Sequence, residues 1–226
     1  MELVVEDLVC RRGGRAIFGP LSFRLAGGRA LWVRGPNGAG KSSLLRLLAG
    51  LGRAESGAVR LDGGARPLQL GETGWQEQVA FAGHLDAVKP ALGVAENLAL
   101  WQGLSGASDG EVAAVLERFG LARIARRPAA ECSAGQRRRL SLARLLLAHR
   151  PVWLLDEPTV SLDRDATALV ADLVREHCAA GGLAVLTSHT DLGLPEAETL
   201  ALSAAATPEP ATTARPSADP FLEGRW

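Results

Sequence analysis

The chain has 226 residues, 47% of them hydrophobic, and its 25 basic and 25 acidic side chains give a formal net charge of zero at neutral pH. That balance argues against an electrostatically driven nucleic-acid binder, which needs a basic excess or a basic face, while the length suits one α/β domain or one domain with a smaller subdomain. Cys10, Cys132 and Cys178 are odd in number, far apart and without C-x-x-C spacing, so neither a disulfide framework nor a zinc site is expected and a reducing compartment fits best.

The N-terminal stretch Met1 to Asp7 is acidic and strand-like, without the charged, apolar and cleavage regions of a secretory signal. No run reaches the roughly 18 apolar residues needed to cross a bilayer, so a membrane role would require another chain to supply the span. Leu3-Val4-Val5 and Leu21 to Leu25 read as strands of an antiparallel sheet, joined by Gly-rich turns. Ala30 to Val33 is a short apolar run that reads as a buried strand, and Ser43 to Ala49 reads as a Leu-rich helix stopped by Gly50.

Between that strand and that helix lies Gly35-Pro36-Asn37-Gly38-Ala39-Gly40-Lys41-Ser42, followed by Ser43, which fits the G-x-x-x-x-G-K-[ST] phosphate loop. A triphosphate is held there by converging backbone N–H groups, so Gly35, Gly38 and Gly40 are expected to leave room for close approach. The helix adds the positive end of its dipole, Lys41 a mobile charge for the β- and γ-phosphates, and Ser42 a hydroxyl placed to ligate Mg²⁺. The expected ligands are therefore a nucleoside triphosphate and Mg²⁺.

Farther along, Ser56 to Gly63 alternates like a strand ending in a turn, and Val79 to Ala82 is a short strand running into Gly83-His84. From about residue 90 to 150 the spacing turns helical, with a capping box at Ser108 to Glu111, which predicts a helical subdomain. Gln136 to His149 reads as a long helix whose Arg137-Arg138-Arg139 run is expected to be a solvated face. Pro151 to Asp156 is apolar until its last residue and reads as a central parallel strand covered on both faces, closing in Asp156 and Glu157. Ala166 to Cys178 is an amphipathic helix, and Leu183 to His189 a second buried strand. Strands alternating with helices imply an α/β core with right-handed crossovers. Residues 204–226 are rich in Ala, Pro and Thr and read as a flexible tail after a domain spanning 1–203.

Carboxylates at a strand C-terminus stand where open α/β sheets place their chemistry. Asp156 is expected to hold Mg²⁺ and Glu157 to polarise the water that attacks the γ-phosphate. With Cys132-Ser133-Ala134-Gly135-Gln136 between the phosphate loop and this strand, similar to the L-S-G-G-Q signature, and with Ser161-Leu162-Asp163 and His189 following, the chain resembles the ATP-binding subunits of ABC transporters. The resemblance implies a P-loop ATPase with a RecA-like core, an antiparallel β subdomain and a helical subdomain. It further implies transmembrane permease partners, a head-to-tail homodimer, and a peripheral place on the cytoplasmic face of the inner membrane. In such a dimer Ser133, Gly135 and Gln136 would face the nucleotide held by Lys41, Ser42 and His189 of the other chain, and Cys132 beside them is expected to be an accessible thiol.

The family pattern is not matched everywhere. His84 stands at the Q-loop glutamine position and is either a coupling residue or a polar loop residue; Arg12 stands where an aromatic usually stacks on adenine, and is either a stacking guanidinium or a solvated turn charge. Within the family, Leu8 to Arg12, Phe81 to His84 and Ser133 to Leu140 resemble the ATP-binding subunit of the cytochrome c maturation system, historically the haem exporter. Another small ABC exporter or a non-transport ABC ATPase are the alternatives. A DNA-repair or chromosome-structure ATPase would need a long coiled-coil insertion before the signature, and no sustained heptads occur.

Overall fold

A computed structural model describes residues 1–189 and 192–203, and the stretch read as a tail, 204–226, lies outside the described residues. The chain begins with β1 (Glu2–Arg12) and β2 (Arg15–Ala26), which turn at Gly13-Gly14, followed by β3 (Ala30–Arg34), α1 (Lys41–Leu48) and β4 (Ser56–Asp62). Next come β5 (Leu68–Gln69), α2 (Trp75–Gln78), β6 (Val79–Ala82), and then α3 (Val94–Ser105), α4 (Asp109–Arg118) and α5 (Ala134–Ala148). The chain then returns to sheet with β7 (Val152–Asp156), crosses over through α6 (Arg164–Ala179) to β8 (Leu183–Thr187), and adds β9 (Glu198–Ala201).

Two sheets result. One is antiparallel, in the order β2-β1-β4-β5, and the other is parallel, in the order β6-β7-β8-β3-β9. The α/β architecture with an antiparallel sheet beside a parallel one is the one the sequence implies. Two strands escape the sequence reading: β5 has only two residues, and β9 is an edge strand of sequence Glu-Thr-Leu-Ala with a single half-buried apolar side chain, Leu200.

The apolar runs are continuous because each parallel strand serves two cores. Trp153 and Leu155 of β7, Ala184 and Leu186 of β8 and Trp32 of β3 pack with the α3–α5 helices on one side. Val152 and Leu154, Leu183 and Val185, and Leu31 and Val33 pack on the other side with α1 and the antiparallel sheet. Side chains alternate across a strand, so a strand covered on both faces has no polar position to offer until it ends. Each such buried Leu or Val contributes on the order of 2 kcal/mol, and all five residues of β7 and of β8 are buried.

Helix starts follow local chemistry. Ser108 Oγ accepts from the Glu111 N–H at 3.2 Å while the Glu111 carboxylate accepts from the Ser108 N–H at 2.7 Å, closing the capping box at the head of α4. Asp163 begins α6 by accepting from the Ala166 N–H at 2.8 Å. Helices α3 and α4 both pack on α5, which is the contact that gathers the helical segment between β6 and β7.

Candidate functional site

The phosphate loop joins the C-terminal end of β3 to the N-terminus of α1, as its sequence requires. Gly40 adopts φ +97°, and a Cβ there would lie 2.6 Å from Ile17 Cγ2 and 2.9 Å from Phe18 Cδ1 of β2. A Cβ on Gly35 would meet the Leu202 carbonyl at 2.2 Å. Two of the three glycines are therefore demanded by the protein's own packing. Gly38 alone has open space above it, with nothing within 4 Å of a built Cβ, and fits the role of clearing room for a ligand. Lys41 is nearly buried, and its ammonium donates to the carbonyls of Gly35 at 2.8 Å and Pro36 at 3.2 Å. Ala39 is fully buried and closes the loop by donating its N–H to the Pro36 carbonyl at 3.2 Å.

At the ends of β7 and β8 the side chains become polar in adjacent positions. Asp156 is 2% exposed, and its Oδ1 accepts from Ser42 Oγ at 3.0 Å and from Thr187 Oγ1 at 2.9 Å. The same Thr187 hydroxyl accepts the Glu157 N–H at 3.0 Å, and that N–H also reaches the Thr187 carbonyl at 3.2 Å. Glu157 has φ +49°, in the left-handed region that a residue with a Cβ occupies only when its surroundings hold it there. Its carboxylate accepts from the His189 N–H at 3.2 Å, and Oε1 lies 3.4 Å from His189 Nε2. The Glu157 side chain is 18% exposed and the His189 ring 59%. A hydroxyl and a carboxylate at hydrogen-bond distance are hard oxygen donors, so Ser42 and Asp156 fit Mg²⁺.

A cleft of about 390 Å³ brings together Arg12, Asn37, Gly38, Gly40, Lys41, Ser42, Ser43, Glu157 and His189, with Ile17 as a wall that no motif marks. His84, Ser133, Gly135 and Gln136 are not among its lining residues. His84 is exposed just beyond the end of β6. Ser133 and Gln136 form a capping box at the head of α5: Ser133 Oγ accepts the Gln136 N–H at 3.2 Å, and Gln136 Oε1 accepts the Ser133 N–H at 2.9 Å. Gly135 packs so close to the loop after β7 that a Cβ would stand 2.9 Å from the Ser161 carbonyl.

Two sequence expectations are overturned here. The arginine run is not a solvated face: Arg138 is 3% exposed and makes hydrogen bonds to carbonyls at the ends of β6 and β7, while Arg139 donates to the Phe119 carbonyl at 2.9 Å and Arg137 to that of Cys132. The carbonyls at strand ends lack sheet partners, and a guanidinium with five donors satisfies several at once. Nor is Cys132 an accessible thiol. It is 5% exposed in the apolar core of the helical segment, with Sγ turned toward the Pro128 carbonyl. Cys10 and Cys178 are also buried, and burial raises the pKa of both thiols.

The sequence profile of the ABC transporter family matches residues 18–160, which include the phosphate loop, the Ser133 to Gln136 turn and the Asp156-Glu157 strand end. The chain belongs to the ABC transporter family. It is 48% identical to the cytochrome c biogenesis ATP-binding export protein CcmA of Cereibacter sphaeroides over 98% of each chain. It is also 49% identical to that of Rhodospirillum rubrum, over 92% of this chain and 88% of the relative, and 51% identical to that of Paracoccus denitrificans, over 88% of each. Among solved structures, the ATP-binding subunit of an ABC transporter superposes with a TM-score of 0.79 at 24% identity, covering 90% of this chain and 86% of that one. A putative ABC transporter ATP-binding protein from Pyrococcus furiosus superposes with a TM-score of 0.78 at 22% identity, over 89% and 98%. These likenesses establish the ABC ATPase fold.

Arg138 and Thr187 are the polar groups around the ABC site that sequence reasoning passed over. Both had a signal. Thr187 is the hydroxyl that ends an otherwise apolar buried run, and Arg138 stands three, four and seven residues before the buried Ser141, Leu142 and Leu145, hence on the same helical stripe.

Proposed function

We propose that this ABC ATPase powers an export system of cytochrome c biogenesis, binding ATP with Mg²⁺ in the cleft between the phosphate loop and the Asp156-Glu157 strand end. The observation that carries the reading is the clustering of Asp156 and Glu157 from the end of β7, and Thr187 and His189 from the end of β8, against Ser42 at the N-terminus of α1. The 48–51% identity to CcmA proteins supports the cytochrome c assignment.

In this mechanism the triphosphate lies over Gly38 and the N-terminus of α1, and the Lys41 ammonium exchanges its loop carbonyls for β- and γ-phosphate oxygens. Ser42 and Asp156 hold Mg²⁺, which when bound neutralises charge on the phosphates. Glu157 takes a proton from the attacking water as its oxygen bonds to the γ-phosphorus, and the bond to the β-phosphate oxygen breaks to give ADP and phosphate. His189 holds the Glu157 carboxylate and presents its exposed ring to the γ-phosphate. Arg12, on the cleft wall, stacks on adenine.

Ser133, Gly135 and Gln136 act on the nucleotide of a second copy of the chain, which accounts for their distance from their own cleft. Closure of that homodimer around ATP, and its opening after hydrolysis, drives permease subunits in the membrane. His84 acts in coupling to those subunits. Among the described residues no helix is long and apolar enough to cross a membrane. In this reading the permease supplies the span, and the chain binds to it peripherally at the cytoplasmic face.

The test is complementation of a bacterium lacking its own cytochrome c biogenesis ATP-binding subunit. The parental chain is expected to restore covalent haem attachment to c-type cytochromes, and Glu157→Gln, still binding ATP, is expected to fail. A chain that hydrolyses ATP in that host but restores no cytochrome c would overturn the assignment.

A further inference from the structure

Arg138 is the most buried cationic side chain among the described residues, and one carboxylate oxygen, Asp86 Oδ1, stands 3.4 Å from it. A buried charge of this kind is tolerated only when its donors are used. Here they are used almost entirely on backbone. Nε donates to the Pro158 carbonyl at 3.1 Å, Nη2 to those of Asp156 at 3.1 Å and Glu157 at 2.7 Å, and Nη1 to that of Gly83 at 2.8 Å. Three of the four acceptors are consecutive residues of the turn that carries Glu157. The fourth immediately precedes His84.

That turn is also where the backbone is strained, since Glu157 sits at φ +49°. Its peptide groups are gripped from both sides: the N–H by Thr187, and the carbonyl by Arg138 at 2.7 Å with the Val160 N–H more distant at 3.3 Å. The φ of Glu157 sets the direction of its Cα–Cβ bond, and therefore where its carboxylate stands in the cleft. Thr187 lies on β8, but Arg138 lies on α5, five residues after Ser133 and three after Gly135.

We propose that Arg138 is a positioning residue for hydrolysis, which fixes the Glu157 peptide in its left-handed conformation and ties it to the helix that begins at Ser133. This rests on the reading of Glu157 as the base. A rigid planar fork on a helix transmits displacement of that helix to every carbonyl it holds. Contact of Ser133 and Gly135 with the nucleotide of a second chain thus bears on the Glu157 of their own chain. The Gly83 carbonyl brings the His84 corner into the same linkage.

The experiment compares the parental chain with Arg138→Gln, Arg138→Lys and Glu157→Gln, and combines each Arg138 substitution with Glu157→Gln. Steady-state and single-turnover ATPase rates and calorimetric ATP affinity are measured with Mg²⁺ present. Arg138→Gln is expected to lower kcat by about 10- to 100-fold, the range for a displaced catalytic group, with ATP affinity within about threefold of parental. Arg138→Lys regains part of that loss, because an ammonium still reaches some of the carbonyls. In the Glu157→Gln background neither Arg138 substitution lowers the residual rate further, because a residue that acts through Glu157 has nothing left to position. A packing role would instead lower ATP affinity and add its loss to that of Glu157→Gln, and that result overturns the proposal. Parental turnover by Arg138→Gln beside an impaired Glu157→Gln also overturns it while leaving the base assignment standing. Parental turnover by Glu157→Gln sinks the base assignment and this proposal together. If Arg138→Gln does not fold, the Arg138→Lys pair decides by the same criteria.

Discussion

The heads of α1 and α5 each carry a glycine, Gly40 and Gly135, yet they are finished in opposite ways. At α1 the N-cap is Gly40, which has no side chain to offer, and no side-chain hydrogen bond caps the helix. At α5 the N-cap is Ser133, whose hydroxyl and backbone N–H are both engaged with Gln136. An uncapped helix start leaves orphan N–H donors for an anion, whereas a capping box satisfies two donors internally. The difference teaches that α1 is built to complete its first turn with a ligand from its own cleft, while α5 is stable without one. A helix in that state can meet the phosphates of another chain intermittently, as a cycle of closing and opening requires.

Breaking the α1 side should have the largest effect. Lys41→Ala is expected to weaken ATP binding by about 100-fold or more, corresponding to a charge-assisted interaction of about 3 kcal/mol, because the remaining ligands are backbone dipoles. Isothermal titration calorimetry checks this, and parental affinity would remove the phosphate loop from the mechanism. Ser133→Ala, on the α5 side, should cost about 1 kcal/mol of stability through the lost cap, or about 2–4 °C in Tm for a chain of this size, while ATP affinity of the isolated chain stays parental. Thermal unfolding and titration of the same preparation separate the two effects. A large loss of ATP affinity with no change in Tm would mean that α5 serves its own cleft after all.

The smallest effect concerns Cys132, one residue before the α5 cap and buried beneath it. Maleimide should label it much more slowly in the native protein than in urea, with or without ATP, as read by mass spectrometry of the labelled peptides. Fast native labelling would show that the head of α5 opens on its own, and would weaken the contrast with α1.

The sequence makes much of this arrangement legible, because several features are local. The phosphate loop, the capping boxes and the apolar runs of β3, β7 and β8 each depend on residues close together in the chain. What stays hidden depends on distant neighbours. In Arg137-Arg138-Arg139 the three side chains are chemically alike, and only the strand ends that meet α5 distinguish the buried one. Gly35 and Gly40 read as room for phosphate, yet their close neighbours are the Leu202 carbonyl and the β2 side chains Ile17 and Phe18. The edge strand β9 pairs with β3 through backbone and buries almost nothing, so no periodicity marks it.

The division of β7 between two cores has a consequence for how lesions in this protein will read. Trp153 and Leu155 belong to the helical side, Val152 and Leu154 to the side beneath the antiparallel sheet, and all four precede the same Asp156-Glu157 tip. The strand is a party wall: a cavity opened in either room loosens the same doorway. Truncations remote from each other, on opposite faces of the sheet, should therefore converge on one defect in ATP turnover, and loss of activity alone will not tell which room was damaged.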